Sequence, residues 1–305
     1  MPQQVIIISG ASTGFGALAA RLMARNGHRV YAGVREHEAE EIAATETFAK
    51  EHGVDLRPLI LDITNTDIVN AAVERVMSES SRIDVLHHNA GRSVLGPAES
   101  FTPEEVMKYL DLNYVGAQRL MRAALPHMRK ARTGLVMWTS SSSVKGGTTP
   151  FVGHYFAAKS ALDMLAVSYA GELVRWGIET SIVVPGVFPR GTNAFHSLAL
   201  PEDKDLEAEY FEGPYKGYGQ RLMKAFAEVF PQDADASDVA KLMARVVEMP
   251  QGTRPFRIHH DPLEDGSEIV SAMTDRFRKD MLVRTGFPDL VKLTPEAAER
   301  FRKQE

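Results

Sequence analysis

The chain has 305 residues, 44% of them apolar and 25% charged, with a formal net charge of −5 and no cysteine. That balance gives ample material for a globular core, and it excludes disulfides, thiolate metal sites and a cysteine nucleophile. It also excludes a global basic field of the kind that gathers nucleic acid or anionic lipid, and no apolar run approaches the roughly 20 residues of a membrane span. Only Met1–Gln4 precede the first apolar run, so no signal peptide is expected and the chain reads as cytoplasmic.

Val5 to Ile8 is a short β-branched run with a glycine exit, the pattern of a strand buried on both faces. Ser9 to Gly16 follows (SGASTGFG), with Gly10, Gly14 and Gly16 around Ser12, Thr13 and Phe15, and then helical spacing to Asn26 with Gly27 as a C-cap. A strand, a glycine loop and a helix in this order present backbone N–H groups and a helix N-terminus to an anion. The spacing is G-x-x-x-G-x-G rather than the general dinucleotide fingerprint. Arg29 to Val34 is the second strand, and Arg35 stands just past its end. An enzyme preferring NAD places a carboxylate near this point to accept from the ribose 2′-hydroxyl. Here none comes before Glu36, and Arg35 suits a 2′-phosphate through charge-assisted hydrogen bonds, although an arginine so placed can also be a plain surface residue.

The alternation continues with a charged helix over 38–51, a strand over 56–63 carrying Asp62 and Ile63 at its end, and a helix over 67–80. A strand over 85–88 runs into Asn89-Ala90-Gly91, and two helices are predicted over 103–114 and 117–129. Leu135 to Thr139 is a fifth strand followed by four serines, then come a helix over 156–175 and a strand over 179–184 before Pro185-Gly186-Val187. Regular βα alternation with short connections predicts an α/β fold, a parallel sheet covered by helices on both faces. In such sheets ligands bind beyond the carboxyl ends of the strands, and Gly10, Arg35, Asp62, Asn89, the serine run and Pro185 all fall at such ends. From 188 to 231 the alternation stops, and Phe188, Phe195, Tyr210, Phe211, Tyr215, Tyr218, Phe226 and Phe230 accumulate around glycines and a proline. An insertion of this kind is a candidate substrate-binding lid, or else two short helices packed on the core. A helix over 237–249 with Ser237 as N-cap, a last strand over 256–258 and a charged helical extension over 265–305 complete a single domain, 1–305.

Tyr155 and Lys159 stand four residues apart, on one face if the segment is helical. Bringing a phenol from about 10 to about 7 requires roughly 4 kcal/mol, and an ammonium about 4 Å away supplies about that much at an effective dielectric of about 20. The pair therefore has the reach to make Tyr155 a proton donor near neutral pH.

Gly10-x-x-x-Gly14-x-Gly16, Asp62, Asn89-Ala90-Gly91, Asn113, the serine run, Tyr155-x-x-x-Lys159 and Pro185-Gly186 together resemble the short-chain dehydrogenase/reductase family over roughly residues 4–260. The resemblance implies a Rossmann-type doubly wound parallel sheet of about seven strands and a nicotinamide cofactor. It implies Tyr155 as the acid–base group, Lys159 tuning it while bonding the nicotinamide ribose, and Asn113 holding a water in a proton relay with Lys159. Gly10 to Gly16 would line the pyrophosphate, Asp62 and Ile63 the adenine, Asn89 to Gly91 the adenosine side, and Pro185 to Val187 the nicotinamide. A serine would orient the substrate oxygen. Counting back from the tyrosine gives Ser142, counting from Gly134 at the strand start gives Ser141, and Ser142 is favoured. The family's threonine shortly after Pro-Gly has no match; Arg190 is nearby and Thr192 comes later. His88, where the family commonly has asparagine, and His154 both read as structural.

The expected activity is interconversion of an alcohol and a ketone or aldehyde by hydride transfer, NADP(H) favoured over NAD(H), on a small apolar or aromatic substrate. No nucleic acid, membrane or metal is expected, and the resemblance implies a homodimer or homotetramer through the helices at 103–129 and 156–175. The alternatives are a cofactor-binding sensor without turnover, or a dehydratase or epimerase on the same fold.

Overall fold

In the first strand, Val5–Ile8, every side chain is buried. Successive residues of a strand point to opposite faces, so Val5 and Ile7 enter one core while Ile6 and Ile8 enter another. A strand buried on both sides needs a helical layer over each, and the rest of the fold supplies them. The structure, a computed structural model, describes residues 2–188, 190–192, 198–229, 231 and 233–303, without the side chains of 223, 226 and 227. Phe195 and Phe230, and the side chain of Phe226, thus lie outside the described residues.

Among the described residues, β1 (Val5–Ile8), β2 (Arg29–Val34), β3 (Leu56–Ile60), β4 (Val85–His88), β5 (Gly134–Thr139), β6 (Ile178–Pro185) and β7 (Arg257–His260) form one sheet. Its order is β3-β2-β1-β4-β5-β6-β7, and every pairing is parallel. The order reverses between β1 and β4, which opens a crevice at their carboxyl ends. One face carries α3 (Thr66–Ser80), α5 (Gly116–Ala131) and α6 (Gly153–Val174), packed through residues such as Val73, Leu120, Met121 and Ala166. The other carries α1 (Gly14–Arg25) and α9 (Ala236–Glu248) through Ala19, Met23, Val239 and Met243, while α2 (Ala39–His52) adds Phe48 and Ala49 at the margin. Each fully buried Ile, Leu or Met contributes about 1.5–3 kcal/mol relative to exposure, so both layers are needed to hold the sheet.

Three local differences from the sequence reading have clear causes. The helix expected after the glycine loop begins inside it, at Gly14, because Thr13 already takes the extended conformation of an N-cap. Asp235 rather than Ser237 caps α9, its carboxylate accepting from the Ser237 N–H at 2.8 Å. The two helices expected over 103–129 are α4 (Pro103–Leu110) and α5 joined without a break by a π-helical turn, Asp111–Val115.

Beyond β6 the chain forms α7 (Lys204–Phe211) and α8 (Tyr218–Val229), and after β7 it forms α10 (Ser267–Arg284) and α11 (Pro295–Arg302). The extension is tied to the body by Arg257, whose guanidinium bonds Asp163 of α6 at 2.6 Å and Asp275 of α10 at 2.8 Å. Among the described residues, no helix is long and apolar enough to cross a membrane.

Candidate active site

The ends of β1, β4 and β5 are sewn together before any ligand is considered. Ser9 Oγ accepts from the N–H groups of Asn89 and Ala90, and Asn89 Nδ2 donates to the Gly10 carbonyl at 2.8 Å. Thr139 Oγ1 donates to Asn89 Oδ1 and lies 2.9 Å from His87 Nε2. Gly10 takes φ +64°, and a Cβ there would lie 2.6 Å from Ala90 Cα, so only glycine allows this approach. A Cβ on Gly16 would overlap the Gly10 carbonyl, which is why the loop can fold flat against the first turn of α1.

Above that loop, among the described residues, a Cβ on Gly14 would meet Thr192 alone, at 3.9 Å, and Thr192 itself donates to the Phe188 carbonyl at 2.7 Å. Thr13 makes no capping bond with its side chain, and the first turn of α1 contains no acidic residue. Among the described residues no side chain caps this helix start, whose amide donors suit an anion such as a pyrophosphate. Phe15 packs edge-on to the buried Phe188 ring, which also stacks on the imidazole of His260.

At the end of β2, Arg35 is held rather than loose. Its Nε and Nη2 bond Glu38 Oε1 at 3.0 and 2.7 Å, and its N–H bonds Oε2. Ser12 of the glycine loop also bonds this carboxylate. Burial pushes the Glu38 carboxyl up, but the bonds from Arg35 and Ser12 outweigh it and leave the group below its usual value. Asp62 accepts from Thr64, while the Ile63 side chain is buried against Gly116 and its carbonyl accepts from Arg119.

The π-helical turn carries Asn113 into the cleft. Its Nδ2 donates to the carbonyls of Tyr109 and Arg92, and its Oδ1 accepts from the Arg92 N–H. Turns widened in this way recur at functional sites, because the extra residue swings a side chain out of the helical repeat. A Cβ on Gly91 would stand 2.7 Å from Asn113 Oδ1 and 3.3 Å from Lys159 Nζ, so the missing side chain lets these two groups converge. Lys159 is buried and donates to the Thr139 carbonyl at 3.0 Å, and burial pushes its ammonium down to about 8.

Tyr155, one helical turn before Lys159, is bonded through its hydroxyl to Ser141 and Ser93. Burial pushes the phenol up, with those two bonds opposing it. The net direction is opposite to the lowering that the four-residue spacing suggested, because desolvation disfavours the phenolate. Of the serine run, Ser140 donates to Asp163 at 2.7 Å and Ser142 bonds Asp265, while Ser141 and Ser143 share a 2.7 Å bond. The structure thus sets Ser141, not Ser142, against Tyr155. Ser93 carried no motif signal in the sequence, and neither did Asp265.

Beside Tyr155 lies an apolar wall of Val94, Phe101 and Ala199, with Val106 and Tyr109 packed on it. It is closed from the 198–229 side: Val94 pairs with Ala199, Glu105 accepts from the Glu202 N–H, and Tyr210 donates to Glu99 at 2.6 Å. Phe151, at φ +72°, packs its ring against Phe211, Tyr215 and Tyr218. At the end of β6, Gly186 donates to the His260 carbonyl, and a Cβ there would overlap Asp261. His88 is buried and stacked on Trp138, and burial pushes it down to about 3, which makes it a neutral packing residue. His154 lies with Nε2 3.0 Å from the Ala98 carbonyl. No group of three or more metal-binding side chains occurs among the described residues.

A sequence comparison matches residues 4–200 to the family described as short chain dehydrogenase. The chain belongs to the short-chain dehydrogenase family. A 3-ketodihydrosphingosine reductase of Bacteroides thetaiotaomicron is 30% identical, with 86% of this chain and 90% of that protein covered. Estradiol 17-beta-dehydrogenase 1 of Rattus norvegicus is 30% identical over 94% of this chain and 85% of its own. Among solved structures, a short-chain dehydrogenase from Streptomyces avermitilis superposes with a TM-score of 0.70 at 26% identity, covering 92% of this chain and 96% of that one. This short-chain dehydrogenase is accordingly an oxidoreductase, with the Rossmann-type single-domain fold expected from its motifs.

Proposed function

We propose that this short-chain dehydrogenase interconverts an apolar ketone or aldehyde and its alcohol, with NADP(H) favoured over NAD(H). The observation that carries the reading is the Tyr155 hydroxyl, bonded by Ser141 and Ser93 and set beside the wall of Val94, Phe101 and Ala199, with buried Lys159 one helical turn on. The glycine loop and the uncapped start of α1 suit the cofactor's pyrophosphate, with Asn89 to Gly91, Asp62 and the backbone at Ile63 on the adenosine side and Pro185 to Val187 on the nicotinamide side. Bound there, the dinucleotide supplies or accepts the hydride.

The remaining steps fall to the chain's own groups. In the reducing direction, Tyr155 holds its proton because burial keeps the phenol neutral, and it delivers that proton to the substrate oxygen. Ser141 donates a hydrogen bond to the same oxygen as charge develops on it. Lys159 is fixed by the Thr139 carbonyl, and Asn113 clamps the backbone at Arg92, so the two face the Gly91 side of the cleft. Arg35, oriented by Glu38, takes the 2′-phosphate. Thr192, over the glycine loop, stands in for the family threonine absent after Pro185-Gly186. The 198–229 segment forms the far wall of the substrate site, and the names of the two relatives, a ketosphingoid reductase and an estradiol dehydrogenase, agree with a largely hydrocarbon substrate. Exposed Met107 on α4 and Met164 on α6 suit a homodimer or homotetramer through those helices.

Mixing the protein with NADPH and a series of ketones and aldehydes of increasing apolar area tests the reading, with loss of reduced cofactor as the readout. Tyr155→Phe is expected to lose roughly 100-fold or more in kcat while still binding NADPH. Undiminished turnover in that variant would overturn the mechanism. Arg35→Ala is expected to raise the KM for NADPH about 10- to 100-fold and to leave NADH nearly unchanged, as loss of a charge-assisted bond requires.

A further inference from the structure

Four consecutive serines offer more hydroxyls than the chemistry uses, and the structure disposes of the surplus with carboxylates from distant parts of the chain. Ser140 is taken by Asp163, which is buried and also bonded by Arg257. Ser142 is taken by Asp265, in the turn between β7 and α10. That turn is itself built around Asp261, whose carboxylate accepts from the N–H groups of Leu263 and Asp265 at 3.1 and 3.0 Å, while Asp265 accepts from Ser267 N–H at 2.9 Å. It is pressed onto the serine loop: Gly147 donates to the Asp265 carbonyl at 3.1 Å, and Lys145 Nζ donates to Thr274 of α10 at 3.0 Å. Gly146 has no side chain where one is forbidden, since a Cβ there would overlap the Asp265 carboxylate. The turn touches the next loop as well, through Asp261 against Gly186.

We propose that Asp265 is a positioning residue that selects the working serine: by holding Ser142 and the 142–147 backbone, it turns Ser141 toward Tyr155. The serine loop is wound into the single 3-10 turn Ser142–Val144, and Asp265 is the group that keeps it wound. The C-terminal extension thereby belongs to the reaction centre, although none of its described residues is part of the apolar wall beside Tyr155. This inference rests on the reading that Ser141 meets the substrate oxygen.

The test compares Ser141→Ala, Ser142→Ala, Asp265→Ala, Asp265→Asn and the double variant Ser142→Ala/Asp265→Ala by steady-state kinetics with NADPH and by hydrogen exchange of the 141–147 peptide. Ser141→Ala is expected to lower kcat about 100-fold, as removal of one oxyanion donor does. Asp265→Ala and Ser142→Ala should each lower kcat about tenfold through misplacement of Ser141, with the KM for NADPH unchanged. The double variant should be no worse than either single one, because both act through the same bond. Asp265→Asn, which keeps an acceptor oxygen for Ser142, should restore most of kcat. Exchange at 141–147 should quicken in Asp265→Ala and stay slow in Asp265→Asn. Wild-type kcat in Asp265→Ala, Ser142→Ala as damaging as Ser141→Ala, or unchanged exchange would each overturn the proposal. If the parent protein turns over no carbonyl, the functional reading fails, and the exchange experiment still decides whether Asp265 holds the loop.

Discussion

Lys159 carries its ammonium where water is excluded, donating to the Thr139 carbonyl. Burial pushes its ammonium down to about 8 from the ordinary 10.5. The native state therefore binds this proton less readily, so the cost to stability is complete below pH 8 and fades as pH rises toward 10.5. The difference corresponds to about 3 kcal/mol. Lys159→Met should thus be inactive yet at least as stable as the parent at pH 7, and melting curves between pH 7 and 10.5 should show the advantage shrinking. Tyr155 and Lys159 were legible as a pair because helical spacing is local information. Ser93 and Asp265 were not, since their partners are far along the chain and neither belongs to a spacing pattern. Glu38 lay in plain view three residues from Arg35, but its simultaneous bond to Ser12 exists only once β1 and β2 are paired.

At the scale of elements, the segment 198–229 is held by a handful of contacts rather than by the sheet. Phe151 is central to them: its ring meets three aromatic rings, and its backbone is held at φ +72°, a conformation that a bulky residue adopts only under constraint. Phe151→Ala should therefore loosen α7 and α8 without unfolding the core. Limited proteolysis should cut within 198–229 faster than in the parent, and substrate KM should rise roughly tenfold while kcat falls less, as loss of uniform binding predicts. The aromatic content of this stretch was visible in the sequence; which rings meet was not, because α7 and α8 owe their place to long-range contacts instead of strand alternation. The π-helical turn was likewise invisible, since 103–131 shows an ordinary helical pattern and a single inserted residue leaves no compositional trace.

For the whole molecule, a parallel sheet covered on both faces followed from βα alternation and its seven strands from the family resemblance, and the observed sheet agrees with both. What alternation could not convey is how the extension closes on the body. Asp163 is buried, and although burial raises its carboxyl, the bonds from Arg257 and Ser140 hold it below the usual value. Removing Arg257 takes away the nearest cation and leaves Asp163 with Ser140 and, at 3.6 Å, the Lys145 ammonium, so Arg257→Met should cost up to about 3–5 kcal/mol in urea unfolding. A loss under about 1 kcal/mol would mean that the charge finds water or another partner.

Trp138 lies buried on β5, stacked between His88 and Tyr169, one residue before the Thr139 carbonyl that holds Lys159. The sequence has one other tryptophan, Trp176, which sits on the surface beneath Arg129 and Arg132. The protein thus contains its own optical gauge. In Trp176→Phe a single indole remains beside the reaction centre, and its emission overlaps the absorption of reduced nicotinamide. Energy transfer from that one fluorophore would count occupied sites in a protein carrying Tyr155→Phe, where slowed turnover leaves the bound cofactor unspent during the measurement.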